Sequence, residues 1–289
     1  MMIAKNYSFA GVDVSIRMAE EIMYKEDRYL APFAVETVRD PHIFTFQLCD
    51  SLTVPQADCV VSKPGFRIYR EDGQDIRYIG SVEQSWENAY IRASHCGKLH
   101  DIQLKKSQFT DRVGTHTVLS AMAAEHLIAQ NGGIVFHCSY IQVGDKAILF
   151  TAPSETGKST QADLWHKYRG AEIINGDRAA IRLVDGQLFA RGIPFSGSST
   201  YCKNKTLPLA AIVYLGQAPV TTISRMKGYQ AFARVWEGVS INTWDKDDME
   251  KATVLVKHIV ENIPVFHLPC TPDESAVIAL EKAMKGESI

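Results

Sequence analysis

From residue 1 to about 110 the apolar residues fall in short runs broken by Asp, Gly and Pro: IFTFQL, CVV, FRIYRED, IRYIG, AYIRA and IQL. Runs of this length, bounded by turn formers, predict short strands, and Asp72-Gly73 between FRIYRE and QDIRYIG has the composition of a two-residue hairpin turn. The pattern then changes. THTVLSAMAAEHLIAQNGG places Val118, Leu119, Met122, Ala123 and Leu127 at helical spacing and stops at Asn131-Gly132-Gly133, which predicts one helix followed by a chain reversal. IVFHCSYIQV and KAILFTA flank Gly144-Asp145, and AAIRLV and QLFARGI flank Asp185-Gly186, two further hairpin signals. Between them lie a short helix to about Tyr168 and the strand AEIIN, which ends at Gly176-Asp177. LAAIVYLG reads as a buried strand. DDMEKATVLVKHIVEN puts Met249, Ala252, Val256, Ile259 and Val260 on one helical face. Thr271-Pro272-Asp273-Glu274 predicts the start of a last helix, with Thr271 as cap, Pro272 at the first helical position and an acid three residues after the cap.

The expected architecture is therefore α/β with a mixed sheet over residues 113–289, preceded by a smaller β-rich domain over residues 1–112. The β-rich part carries no grouping of acid, histidine and nucleophile, so its expected role is recognition of a partner or substrate, or assembly. At 289 residues the chain can bury a full core without staples. Six cysteines are scattered without C-x-x-C spacing, as expected of reduced thiols in a cytoplasmic protein. His95-Cys96 and His100 do not make a zinc site, because no matching pair stands at zinc spacing elsewhere. The net charge of −2 predicts no binding to nucleic acid or to a membrane through bulk electrostatics, so an anion has to be caught locally. The opening MMIAKNYSFAGVDVSI is too interrupted by polar residues to span a bilayer, and a soluble protein is expected.

One segment is suited to catching an anion: Ala152-Pro153-Ser154-Glu155-Thr156-Gly157-Lys158-Ser159-Thr160. A phosphate cradle wraps backbone N–H groups around the anion at a helix N-terminus, with a lysine on the outer phosphates and a hydroxyl on the metal. Here KAILFT supplies the strand before the loop, Gly157 the close turn, Lys158 the cation, Ser159 a Mg²⁺ ligand, and TQADLWHKY the helix. Pro153 through Thr160 are the expected nucleotide-binding residues, and ATP with Mg²⁺ the expected ligand. Two positions depart from the usual pattern: Ala152 stands at the first glycine, and Glu155 brings an acid into the cradle.

The segment from about Leu119 to Phe195 resembles the catalytic core of HPr kinase/phosphorylase and its related kinases, with PEP carboxykinase more distant. The likeness is carried by His137 before the hairpin, by Ser154-Glu155-Thr156-Gly157-Lys158-Ser159 against the family's S-G-x-G-K-[ST], by Gly176-Asp177, and by Arg191-Gly192. It is stronger to the short HPr-kinase-like proteins that phosphorylate serine in peptides or as the free amino acid. The resemblance implies an HPr-kinase-like, PEP-carboxykinase-like P-loop domain. It also implies transfer of the γ-phosphate of ATP to a hydroxyl acceptor on a protein, peptide or small molecule. Asp177 would then bind Mg²⁺ or take the acceptor proton, His137 would assist it, Lys158 would hold the phosphates, and Arg191 would neutralise the transferring group.

The family's second acid is replaced by Arg178, and its glutamate before the arginine-glycine turn by Phe189 and Ala190. These departures keep two other readings open: a nucleotide-binding regulatory or assembly protein with little transfer, and a PEP-carboxykinase-like enzyme of a small acid. Ser196-Gly197-Ser198-Ser199-Thr200 is either a substrate loop or a linker. Trp165, Trp236 and Trp244 either stack an adenine or pack in the core. A homo-oligomer remains an open expectation.

Overall fold

The computed structural model describes residues 2–22, 24, 26–80, 86–109 and 113–286. The expected domain boundary near residue 112 lies outside the described residues. The chain separates into two compact units, Met1–Leu127 and Ile128–Ile289.

In the first unit, β1 (Met2–Phe9) and β2 (Val12–Ala19) form a hairpin. β3 (Ala34–Val35), β4 (His42–Cys49), β5 (Cys59–Lys63), β6 (Phe66–Glu71), β7 (Gln74–Gly80), β8 (Ala89–Cys96) and β9 (Leu99–Lys105) complete one sheet, in the order β3-β1-β2-β4-β9-β8-β7-β6-β5. The β6–β7 hairpin turns at Asp72-Gly73 with φ of +49° and +77°. Alternation along the strands buries one face, through Val14, Ile16, Phe44, Phe46, Ile91, Ile102 and Leu104. The hairpin of β1 and β2 is an addition to the apolar runs that pattern alone picks out.

The expected single helix after residue 114 is two helices, α1 (Thr115–Ala121) and α2 (Ala124–Gln130). Ala123 adopts φ +49° and breaks the ladder between them. Left-handed backbone costs a non-glycine residue about 1–2 kcal/mol, and apolar spacing that continues through Met122 and Ala123 gives no sign of it.

The second unit holds β10 (Gly133–His137), β11 (Ser139–Val143), β12 (Lys146–Thr151), α3 (Lys158–Arg169), β13 (Glu172–Asn175), β14 (Arg178–Val184), β15 (Gln187–Arg191), β16 (Thr206–Gln217), β17 (Ser224–Met226), α4 (Gly228–Glu237), β18 (Val239–Ser240), α5 (Lys246–Asn262), β19 (Val265–Cys270) and α6 (Glu274–Lys285). Its mixed sheet runs β13-β11-β12-β16-β15-β14-β10-β18, with β19 also beside β16 and β17 beside β19. β12, β16 and β19 are mutually parallel, and they end at the same edge. Loops at the carboxyl ends of parallel strands are where α/β sheets bind ligands.

The central strands are apolar on both faces because helices cover both. Leu149 and Ile212 meet Val235, Val256 and Ile259 of α4 and α5, whereas Ile148, Phe150 and Val213 meet Trp165 of α3 and Val277 and Leu280 of α6. The run IVFHCSYIQV, which reads as one strand, is divided at Cys138: β10 pairs with β14, and β11 pairs with β12 and β13. That change of partners brings the end of β10 to the turn after β13, with Cys138 N–H donating to Asp177 O at 2.9 Å. The last helix starts later than the sequence indicates. Asp273 is its cap and accepts from Ser275 N–H, while Thr271 bonds through its hydroxyl to Thr221 and Ser275.

Candidate nucleotide and phosphoryl-transfer site

β12 ends at Thr151, whose Oγ1 donates to His137 O at 2.9 Å and so ties the start of the loop to the end of β10. Ala152 is buried, and Pro153, Ser154 and Glu155 are exposed. Glu155 has φ +64° and Gly157 φ +115°. Left-handed residues interspersed in a turn are the backbone form that gathers successive N–H groups into an anion seat, and the value at Gly157 is one that side-chain-bearing residues rarely adopt.

α3 begins immediately at Lys158. No side chain caps it and no acid stands in its first turn, whereas Asp245 and Asp273 occupy the first N–H groups of α5 and α6. A helix start of this kind carries a partial positive charge and unclaimed donors. Lys158 is buried, and its Nζ donates to Ala152 O at 3.1 Å and Pro153 O at 3.3 Å, folding the ammonium across the loop. Burial pushes its pKa down, and the Asp177 carboxylate opposes that shift. Ser159 and Thr160 follow with exposed side chains. Beside the loop lies a cavity of about 620 Å³, bounded by Thr156 and Gly157, by Thr160 and Gln161 of α3, and by Gln217 and Cys270 at the ends of β16 and β19. Its volume falls in the range of small-molecule sites, roughly 300–1,000 Å³.

The second half of the site is built on Asn175, which is fully buried. Its Oδ1 accepts from Asp177 N–H at 2.9 Å and Arg178 N–H at 3.0 Å, and its Nδ2 donates to Ile193 O at 3.2 Å and Phe195 O at 2.8 Å. One side chain therefore shapes the turn and fixes the chain that follows Arg191. Asp177 Oδ1 lies 3.5 Å from His137 Nε2, and Oδ2 accepts from Arg178 Nε at 3.1 Å. The hydrogen bond with His137 and the charge of Arg178 hold the carboxyl below its usual range, against the opposing effect of burial. Burial pushes the neighbouring Cys138 thiol up, and Asp177 adds to the shift.

The loop after Ile193 packs onto this turn. A β-carbon on Gly176 would lie 2.2 Å from Ser199 Oγ, and one on Gly197 would lie 2.9 Å from Asp177 Cγ. Ser196 is buried, and Ser199 N–H donates to Ser196 O at 2.8 Å.

Asp177 thus pairs with His137 and its charge bears on Lys158, and the exposed Ser159 hydroxyl stands on the first turn of α3. Arg191 is placed differently. It pairs with Ala180, and its strand register puts it on the same sheet face as His137 and Arg178. Its charge bears on Arg182, while burial pushes its own pKa down. Glu155 is exposed, and its carbonyl accepts from Gln217 Nε2 at 3.4 Å. Trp165 is a core residue against α6, and Trp236 stacks on Phe232 at 5.8 Å.

Asn175 has no functional motif around it in the sequence. Its only signal is an Asn at the end of an apolar strand, two residues before an acid. The cavity residues Gln161, Gln217 and Cys270 have no sequence signal, because three separate elements bring them together. The hydroxyl of Ser159 and the ionised carboxylate of Asp177 are hard oxygen donors, the chemistry Mg²⁺ prefers.

In the first unit, His95 and His100 are joined by His42. His100 sits between the other two rings, with ring nitrogens 3.0 Å from His42 and 3.1 Å from His95. Burial pushes His95 down to about 3 and His100 down to about 4.

No family model matches the sequence, and no curated protein matches it. Solved structures do match. Among them is the structure of an HPr(Ser) kinase/phosphatase from Coxiella burnetii, 12% identical, with the match covering 53% of this chain and 99% of that one at a TM-score of 0.32. No described helix is long and apolar enough to cross a membrane. The chain is a mixed α/β protein whose likeness to that kinase/phosphatase is a distant one.

Proposed function

We propose that this chain is an ATP-dependent phosphotransferase that moves the γ-phosphate to a hydroxyl acceptor, a serine of a protein or peptide or a small molecule. One observation carries the reading: the uncapped start of α3 brings Gly157 and the buried Lys158 within electrostatic reach of a carboxylate paired with a histidine. A phosphate cradle by itself supports binding, and the adjacent Asp177 and His137 supply what transfer to a hydroxyl also needs.

In this reading the amides of Pro153–Thr160 and Lys158 hold the phosphates. Their anionic oxygens are stronger acceptors than the two carbonyls Lys158 now bonds, so the ammonium turns toward them. Ser159 and Asp177 hold Mg²⁺, which neutralises phosphate charge when bound. Asp177 takes the proton of the acceptor hydroxyl, and His137 orients the carboxylate and shares its charge. The cavity beside Thr160 and Gln161 takes the nucleoside, and the loop Ser196–Ser199, seated on Asp177, contacts the acceptor. Arg191 serves the transferring group from the neighbouring strand. The sheet of the first unit recognises the partner or substrate.

A second reading is a nucleotide-binding regulatory protein with little transfer. The ion pair of Arg178 with Asp177 favours it, because it engages the carboxylate oxygen opposite His137. Incubation of the purified chain with γ-labelled ATP, Mg²⁺ and cell extract separates the two. A labelled acceptor, lost in Asp177→Asn, supports the transferase. Tight ATP binding with no labelled product in either protein supports the binder and refutes the transferase.

A further inference from the structure

Arg178 is not a loose surface cation. Its backbone N–H is bonded to the buried Asn175, it stands opposite His137 in the β10–β14 register, and its guanidinium lies over the Phe195 ring at 5.9 Å. From that seat Nε donates to Asp177 Oδ2 at 3.1 Å. The other carboxylate oxygen faces His137 Nε2 at 3.5 Å. An arginine stays charged at every accessible pH, so Asp177 has a permanent monovalent counter-charge built against one of its two oxygens.

A divalent ion needs a carboxylate oxygen directed at it, and a permanent cation bonded to an oxygen competes for that oxygen. The charges of Arg178 and His137 bear on Asp177, and Asp177 and Lys158 act on each other.

We infer that Arg178 is a positioning residue for Asp177 that occupies the place of a second cation, so that the nucleotide-loaded site takes one divalent ion, reached through Oδ1. This rests on the phosphotransferase reading and adds to it a metal stoichiometry and the residue that sets it. Arg178 touches neither phosphate nor acceptor in this role. It fixes the rotamer of Asp177 and screens Oδ2.

The test is Mn²⁺ binding, followed by electron paramagnetic resonance on the full chain saturated with a non-hydrolysable ATP analogue, with nucleotide affinity measured separately by calorimetry. The wild type is expected to bind one Mn²⁺ per chain. Arg178→Gln, which removes the charge and keeps the length, is expected to bind Mn²⁺ at least fivefold more tightly. Arg178→Lys should restore wild-type affinity, and Arg178→Asp should take up a second ion. Circular dichroism establishes that each variant is folded, and Arg178→Gln decides the matter if Arg178→Asp does not fold. Two Mn²⁺ on the wild type, or unchanged affinity in Arg178→Gln, overturns the inference and leaves the phosphotransferase reading intact. Failure of the wild type to bind nucleotide overturns both.

Discussion

Asn175→Ala is expected to destabilise the second unit strongly. The side chain is fully buried and makes four hydrogen bonds, two accepted by Oδ1 and two donated by Nδ2. Truncation leaves two N–H groups and two carbonyls without their partner. At about 1 kcal/mol net for each bond, the loss is on the order of 4 kcal/mol, a large part of the roughly 5–15 kcal/mol by which a domain is stable. For a domain of this size each kcal/mol moves Tm by roughly 2–4 °C, so a fall of about 10 °C is expected. Differential scanning calorimetry reads it directly, and circular dichroism at low temperature checks that the variant folds. Asn175→Asp provides a second arm. It keeps the acceptor for Asp177 and Arg178, but it sets a carboxylate against two carbonyl oxygens. The folded state then favours the protonated acid, so the deficit of Asn175→Asp relative to wild type shrinks as pH falls toward 4. A Tm within 2 °C of wild type for Asn175→Ala would refute the assignment of this residue as the organiser of the Asp177 turn.

His95 and His100 are held below the ordinary histidine range, at about 3 and about 4, so the unfolded chain takes up protons that the folded chain refuses. Stability therefore falls as pH drops below about 6.5, by about 3 kcal/mol at pH 4 for His100 alone. Urea titrations at pH 7 and 4.5 on wild type and His100→Gln check this, and an equal loss in both proteins would refute it. Gly192→Ala would place its β-carbon 1.9 Å from the backbone oxygen of Lys203, with no flexible side chain to give way. A Tm fall of 10 °C or more, or loss of soluble expression, is expected, and a melt like that of wild type would contradict the close approach.

Most of the second unit's skeleton was legible in the sequence because its strands are punctuated by turns of unmistakable composition. Asp185-Gly186, with φ of +49° and +77°, closes β14 and β15 as the Asp-Gly dipeptide indicates. The segment proposed to hold phosphate stands out for the same reason: strand, glycine, lysine, hydroxyl and helix are contiguous. What was not legible depends on contacts distant in sequence. The break at Cys138 separates β10 from β11 because each finds its own partner, a choice that local apolar pattern does not encode. The turn at Ala123 falls on a residue with no turn propensity. The role of Asn175 is set by carbonyls 18 and 20 residues away. The cap of α6 moved to Asp273 because a carboxylate there can reach Ser275 N–H at 2.8 Å, while the hydroxyl of Thr271 is engaged with Thr221 and Ser275.

The loop ending at Lys158 is expected to bind nucleotide phosphates. Isothermal titration of the full chain with Mg²⁺ and a non-hydrolysable ATP analogue, repeated on Lys158→Ala, tests it most directly. Saturable one-to-one binding by the wild type is expected, weakened at least about tenfold in the variant, since a hydrogen bond to a charged group is worth roughly 1.5–3 kcal/mol. Equal affinity in the two proteins, or no binding by the wild type, would contradict it.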